Sequence, residues 1–284
     1  MSYNSINRIE GNPVQCNNEI KSIAIGSFDG LHIAHQTLIT QAEALVIIER
    51  NGGYLTPGYK RADFTDKVCC FYHFDVIKSL TPEAFVEKLK YDFPALETIV
   101  VGYDFHFGKA KAGNAVGLQA LFSGCVKIIN EVKIDNISVH SRTIKAYIKE
   151  GDMVMANRLL GRYYCIEGMV VSGQGLGKTK LVPTLNLKVN AYTLPLEGVY
   201  ATRTFVKNRW LPSVSFLGHR VTTDGSYAIE SYVLDEDLGT VQGDVGLEFV
   251  AFIRQNNKFE SLEGLKKQIQ HDIKTSREIL CLNA

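Results

Sequence analysis

Two stretches of this chain have the residue types and spacing to handle phosphate. The first is Gly26-Ser27-Phe28-Asp29-Gly30-Leu31-His32-Ile33-Ala34-His35, which follows a short apolar run and opens a helical pattern. Gly26 and Gly30 permit tight turning, and a helix start placed there offers unpaired N–H groups and a positive dipole end to an anion. His32 and His35 are three residues apart, so one helical turn puts both on the same side. Two imidazoles so placed can donate hydrogen bonds to an α-phosphate as charge shifts during attack. A lone histidine here would read as a loop residue satisfied by backbone; two of them behind a strand–glycine turn tip the reading toward phosphate. The second stretch is Ser172-Gly173-Gln174-Gly175-Leu176-Gly177-Lys178-Thr179. It is not a P-loop, because glycine would be needed at Ser172 and the motif must open a helix, whereas Pro183 and the strand-like Leu185 to Val189 follow. Gly173, Gly175 and Gly177 also miss the dinucleotide-binding spacing. They can bring backbone N–H groups close to phosphate oxygens, with Lys178 adding charge, or form a plain flexible loop with a solvated lysine.

The elements around these stretches follow two grammars. Ser22 to Ile25 reads as a buried strand, and Gln36 to Glu49 carries Leu38, Ala42, Leu45 and Val46 at helical spacing. Val68 to Phe74, Thr98 to Val101 and Val126 to Ile129 read as further strands, and Thr81-Pro82 caps a helix with Phe85, Val86 and Leu89 on one face. Strands alternating with helices predict a mostly parallel, doubly wound sheet. Residues 141–160 read as two short helices, broken at Gly151-Asp152 and stopped by Gly161. Beyond them come β-rich runs at Val199 to Val206, Ile229 to Leu234 and Val245 to Arg254, then helical spacing from Ser261 to Leu280. This predicts a small antiparallel barrel with a C-terminal helix, and an α/β chain of two domains, 1–160 and 161–284.

Composition narrows the partners. Of 284 residues, 45% are hydrophobic and 21% charged, which is ample for two cores and too apolar for disorder. The formal charge of +1 and the lack of a long Lys/Arg run argue against a nucleic-acid surface. Met1 to Asn18 lacks the apolar segment of a signal peptide, and no run is long enough to span a membrane. The six cysteines include no Cys-x-x-Cys pair, and Cys69 and Cys70 sit in an apolar run, so a reducing cytoplasm is expected.

The first histidine segment resembles the G-x-F-D-G-x-H-x-G-H signature of bacterial FMN adenylyltransferases, one half of the bifunctional riboflavin kinase/FAD synthetases. Val100 to Gly108, with Asp104, is similar to that family's V-V-G-x-D-F-R-F-G block, and Thr81 to Val86 to its helix start. His140-Ser141-Arg142-Thr143-Ile144-Lys145 resembles its S-S-T-R-I-R block. Pro183-Thr184-Leu185-Asn186-Leu187 resembles the riboflavin kinase P-T-A-N-L signature, and Ala228 to Asp235 the strand that carries the catalytic glutamate, here Glu230. Leu194 to Tyr200, and Ile253-Arg254 with Lys258-Phe259, are similar to two further kinase blocks.

The resemblance implies ATP-dependent phosphorylation of riboflavin to FMN, followed by adenylylation of FMN to FAD, with Mg²⁺ as cofactor. It implies that Thr184 and Asn186 help hold the metal and phosphate, that Glu230 is the base, and that Arg254 lies near the flavin. It places Phe28, Asp29, Asp104 and Lys145 with His32 and His35 at the adenylyl-transfer site. Strand alternation agrees with the kinase assignment, setting Glu230 and Tyr232 opposite Ile229, Ser231 and Val233. Departures concentrate in the first half. Ala34 replaces a glycine, His106 an arginine, Lys145 and Thr143 two arginines, and the F-D-P-H-P segment is missing, with a shortened stretch around Ile47 to Asp63, containing Tyr54-Leu55-Thr56-Pro57, in its place. In the second half Gly218-His219-Arg220-Val221-Thr222-Thr223 replaces G-x-R-P-T-F. A kinase with a degraded first domain and a non-turning flavin or nucleotide binder are the alternatives.

Overall fold

Ile23, Ala24 and Ile25 are buried on both sides of their strand, which only a sheet covered on two faces provides. The computed structural model, which describes residues 18–50, 54–172, 182–220 and 225–281, supplies that sheet. Five parallel strands, β1 Ser22–Gly26, β2 Ala44–Glu49, β3 Val68–His73, β4 Thr98–Gly102 and β5 Cys125–Ile129, lie in the order β3-β2-β1-β4-β5. Helix α1, Ile33–Ile39, covers one face, where Leu38 and Ile39 meet Ala24, Leu45, Ile47 and Val100. Helices α2, Pro82–Asp92, and α3, Ala115–Leu121, cover the other, where Phe85, Leu89 and Leu118 meet Ile23, Ile25, Val46 and Ile99. The Thr81 side chain caps α2 by accepting from Ala84 N at 3.2 Å, with Pro82 in the first turn.

The helical reading of Gln36 to Glu49 fails in its second half. The helix ends at Ile39, and Ala44–Glu49 is strand β2. Ala44 to Ile48 is an unbroken apolar run, and its residues feed the two cores alternately: Ala44, Val46 and Ile48 one, Leu45 and Ile47 the other. Full burial on both faces erases the period-2 signal. Cys69 and Cys70 are buried thiols on β3, and burial pushes the Cys69 thiol up to about 12.

The chain divides into two compact units, Met1–Ser141 and Arg142–Ala284. The second is a closed antiparallel barrel of β6 Tyr164–Val171, β7 Leu185–Val189, β8 Gly198–Val206, β9 Arg209–His219, β10 Tyr227–Val233 and β11 Asp244–Gln255, in the order β6-β7-β10-β9-β8-β11. It carries helices α4 Ser141–Glu150, α5 Met153–Leu160 and α6 Leu262–Ile279. Asp152 caps α5 through Met155 N, and Gly161 ends it at φ 76°. Asn157 fastens α5 to the barrel, accepting from Tyr164 N at 2.7 Å and donating to Phe249 O at 2.8 Å. Ile273 of α6 packs over Val199, Val214 and Leu234 on the outer face.

The opposite face of β8, β9 and β10 is polar where a core would be apolar. Thr202 bonds Ser213 and Ser215 at 2.7 Å each, and Thr204 bonds Ser213 at 2.9 Å and Ser231 at 2.8 Å. All five are buried. A hydroxyl both donates and accepts, so a chain of them satisfies itself without water. Among the described residues no helix is long and apolar enough to cross a membrane.

Candidate functional sites on the sheet and on the barrel

The sheet reverses its winding between β1 and β4, the position where open α/β sheets take ligands at the carboxyl ends of their strands. The loop after β1 is conformationally costly. Phe28 and Leu31 hold φ of 47° and 40°, and Gly30 holds 87°. Two non-glycine residues in the left-handed region cost of order 1–3 kcal/mol each, and they persist because both side chains are fully buried. His32 is buried and caps α1, its Nδ1 accepting from His35 N at 3.3 Å. That bond leaves the ring proton on Nε2. The His32 and His35 rings stack at 3.5 Å with 15° between planes, and Phe28 closes edge-on against His35 at 5.2 Å. The two imidazoles are therefore brought together as their spacing predicted. Ala34 is an ordinary helical residue of α1.

Phe28 and Asp29 are built into this loop rather than turned out of it. Phe28 is fully buried, and the Asp29 Oδ1 accepts from Leu55 N at 2.8 Å and Thr56 N at 3.1 Å. Asp29 O accepts from Ser141 Oγ at 2.8 Å. Asp29 thus anchors the Tyr54-Leu55-Thr56-Pro57 stretch, the segment that departs most from the family. A fully buried Arg61 holds the same stretch from its other side. Its Nε donates to Thr56 O at 2.9 Å, its Nη1 pairs with Glu49 Oε2 at 2.6 Å, and its guanidinium lies 4.8 Å from the Tyr54 ring centre. Burial, then the Glu49 charge, pushes the Tyr54 phenol up from its ordinary value.

Across the switch point, Asp104 follows β4 and is exposed. Its Oδ2 lies 4.0 Å from His140 Nδ1, while the other nitrogen of that ring lies 3.2 Å from the Tyr103 hydroxyl. The Tyr103 hydroxyl also donates to Glu131 at 3.4 Å. Hydrogen bonds from Ser138 and Lys133 hold the Glu131 carboxyl below the usual range. Tyr103 and His140 fall in two separate sequence blocks, and nothing in their spacing joins them as the structure does. Lys145 falls in α4, half-buried, in the second unit.

On the barrel, β7 and β10 pair antiparallel, with Asn186 directly opposite Glu230 and Leu185 opposite Ser231. Glu230 and Asn186 are bridged by Arg220. Its Nε donates to Glu230 Oε1 at 2.7 Å, its Nη2 reaches the same oxygen at 2.6 Å, and its Nη2 also donates to Asn186 Oδ1 at 2.7 Å. Thr184 stands just before β7, two residues from Asn186, so an extended chain sets them on one face. The glycine loop, with Gly173, Gly175, Gly177 and Lys178, lies outside the described residues. Arg254 grips Asp272 of α6 with a two-pronged fork, Nε to Oδ1 at 2.9 Å and Nη2 to Oδ2 at 2.7 Å, and lies 5.7 Å from the Phe259 ring centre. Its guanidinium is thereby fixed against the helix. The described residues hold no group of three or more His, Cys, Asp or Glu that suits a metal cage. The neutral oxygens of Thr184 and Asn186 fit a magnesium ion that arrives with phosphates and keeps waters, and an amide oxygen has a second lone pair beyond the one Arg220 uses.

A switch-point cleft with paired histidines and a barrel with a carboxylate set against an amide make this a two-part transferase that works on phosphate. The riboflavin kinase family model matches residues 160–280, and the FAD synthetase model matches residues 61–143. The chain is 29% identical to the bifunctional riboflavin kinase/FMN adenylyltransferase of Listeria monocytogenes, over 90% of this chain and 91% of that protein. It is 28% identical to the Pseudomonas fluorescens protein of the same name, over 92% and 93%. The Escherichia coli K12 protein of that name is 25% identical, again over 92% and 93%. A crystal structure called Macrolide-efflux Protein from Streptococcus pneumoniae shares the fold, with TM-score 0.79 at 24% identity over 93% of this chain and 97% of that one. The chain thus carries a riboflavin kinase domain and an FAD synthetase domain, and it is similar along about nine-tenths of its length to proteins named bifunctional riboflavin kinase/FMN adenylyltransferase.

Proposed function

We propose that the kinase domain, 161–284, transfers the terminal phosphoryl group of ATP to riboflavin, and that the domain at 1–160 joins the resulting FMN to an adenylyl group from a second ATP. The observation that carries the first step is the direct pairing of Asn186 with Glu230 across two strands. Glu230 accepts the proton of the ribityl 5′-hydroxyl as its oxygen bonds to the γ-phosphorus and the bond to ADP breaks. Thr184 and Asn186 hold the triphosphate end, and Mg²⁺ bound there would supply positive charge to the phosphate oxygens. Catalysis of this kind is mostly positioning, which strands provide better than loops. Arg254, fixed by Asp272, orients the flavin side of the cleft.

In the second step an FMN phosphate oxygen attacks the α-phosphorus of ATP and pyrophosphate leaves. His32 and His35 donate to the α-phosphate oxygens, with the loop of Gly26, Phe28, Asp29 and Gly30 fixing their place and Asp104 lining the far side of the switch point. The five described cysteines are all free thiols, which suits the cytoplasm. The experiment is one reaction of purified protein with riboflavin, ATP and Mg²⁺, its products separated by chromatography over time. FMN should rise first and FAD follow. FMN without FAD would leave a kinase alone, and neither product would end the reading.

A further inference from the structure

We infer that Arg220 is a positioning residue of the phosphoryl-transfer site, one that holds the Glu230 carboxylate and the Asn186 amide as a single unit; the inference rests on the kinase reading above. Asn186 and Glu230 face each other across β7 and β10, and each turns an oxygen, Oδ1 and Oε1, toward the same point. Two acceptors so placed repel each other. A guanidinium between them converts that repulsion into a link, because its planar fork supplies donors to both.

The root of Arg220 is fixed on both sides. Its own N donates to Ser226 O at 2.9 Å, Gly225 N donates to its carbonyl at 3.1 Å, and Nη1 donates to Ser226 Oγ at 2.8 Å. The preceding His219 is held by Glu197, with N to Oε2 at 3.3 Å and Nδ1 to Oε1 at 3.1 Å, and its carbonyl accepts from Asn256 at 2.6 Å. The guanidinium is thus delivered by a backbone held to Gly225 and Ser226, and its side chain is only 17% exposed. Both of its bonds to Glu230 fall on Oε1, so Oε2 is the oxygen that meets the substrate hydroxyl. A general base needs a third group that sets its orientation, and Arg220 is that group here. Lysine would keep the charge and lose the fork.

The test compares R220A, R220K, E230Q and the double variant R220A/E230Q, measuring kcat and KM for riboflavin phosphorylation. Thermal unfolding followed by circular dichroism in the same preparations reports on folding of the barrel. R220A should lower kcat by about 30-fold, with KM for riboflavin changed less than about threefold. R220K should recover part of the loss, and millimolar guanidinium should restore R220A by about fivefold or more while leaving E230Q unmoved. The double variant should be no slower than E230Q, because the two residues act through one group. If R220A fails to fold, seen as loss of its unfolding transition, the comparison of R220K with E230Q carries the test, and wild-type kcat in R220K overturns the inference. So does an R220A enzyme that turns over at or above the wild-type rate, or a double variant whose losses multiply. An inactive wild-type protein overturns the kinase reading and the inference together, and it does so before any variant is made.

Discussion

The two candidate sites are built by opposite means. On the barrel, the chemistry-bearing side chains stand on facing strands, and a third side chain ties them together: Asn186, Glu230 and Arg220 form bonds of 2.7 Å. On the sheet, the chemistry sits on loop ends whose shape is imposed by neighbours. His32 spends one nitrogen capping its own helix, Asp29 is turned onto the Leu55 and Thr56 amides, and Phe28 is buried. The difference teaches where sequence change is tolerated. A strand-built site needs few residues because the ladder places them, and most of its family residues are present. A loop-built site needs a local scaffold, and there Arg61 with Tyr54 and Glu49 stands under the segment that departs from the family signature.

The contrast can be broken from either end. E230Q should cut riboflavin phosphorylation by about 10² to 10⁴ while FAD formation from FMN continues, the scale at which a positioned base contributes. Equal loss of both activities would show that the sites are not separate. Arg61→Leu should cost about 3 kcal/mol in denaturant unfolding of the sheet unit, because it leaves the Glu49 charge beneath the surface without its partner. A loss under 1 kcal/mol would mean that Arg61 is no scaffold. His35→Ala should lower adenylyl transfer by roughly tenfold and leave the kinase rate alone, the signature of one donor removed from a charge-stabilising set. A kinase rate that falls with it would blur the contrast. Smallest is Ser213→Ala, which strands the hydroxyls of Thr202 and Thr204 and should cost about 1 kcal/mol of barrel stability with both activities intact.

Much of this was legible in the residues. The alternation of β-rich runs announced the barrel, and Gly151-Asp152 and Gly161 marked helix ends that the structure places at Glu150, Met153 and Leu160. Strand β2 was not legible, because Leu38, Ala42, Leu45 and Val46 satisfy a helical period across a helix, a turn and a strand. Strand β9 was hidden for the reverse reason. Its inner face carries Ser213 and Ser215 where apolar residues announce a strand, and its outer face carries Val214 and Phe216 under α6. Arg220 matched a family motif, yet spacing says nothing of where a long side chain ends. That took the hydrogen bonds of Arg220 with Gly225 and Ser226, which aim it across two strands.

Strand β7 joins the barrel unevenly. Among the described residues, four residue pairs bind it to β6, two bind it to β10, and the neighbouring β8–β9 pair has nine. The hoop therefore has a short stave, and on heating or in mild urea its amides should take up deuterium before those of β8 and β9. One of the two described rungs is Asn186 with Glu230, so the stretch expected to exchange first also carries the pair proposed to act on the phosphoryl group.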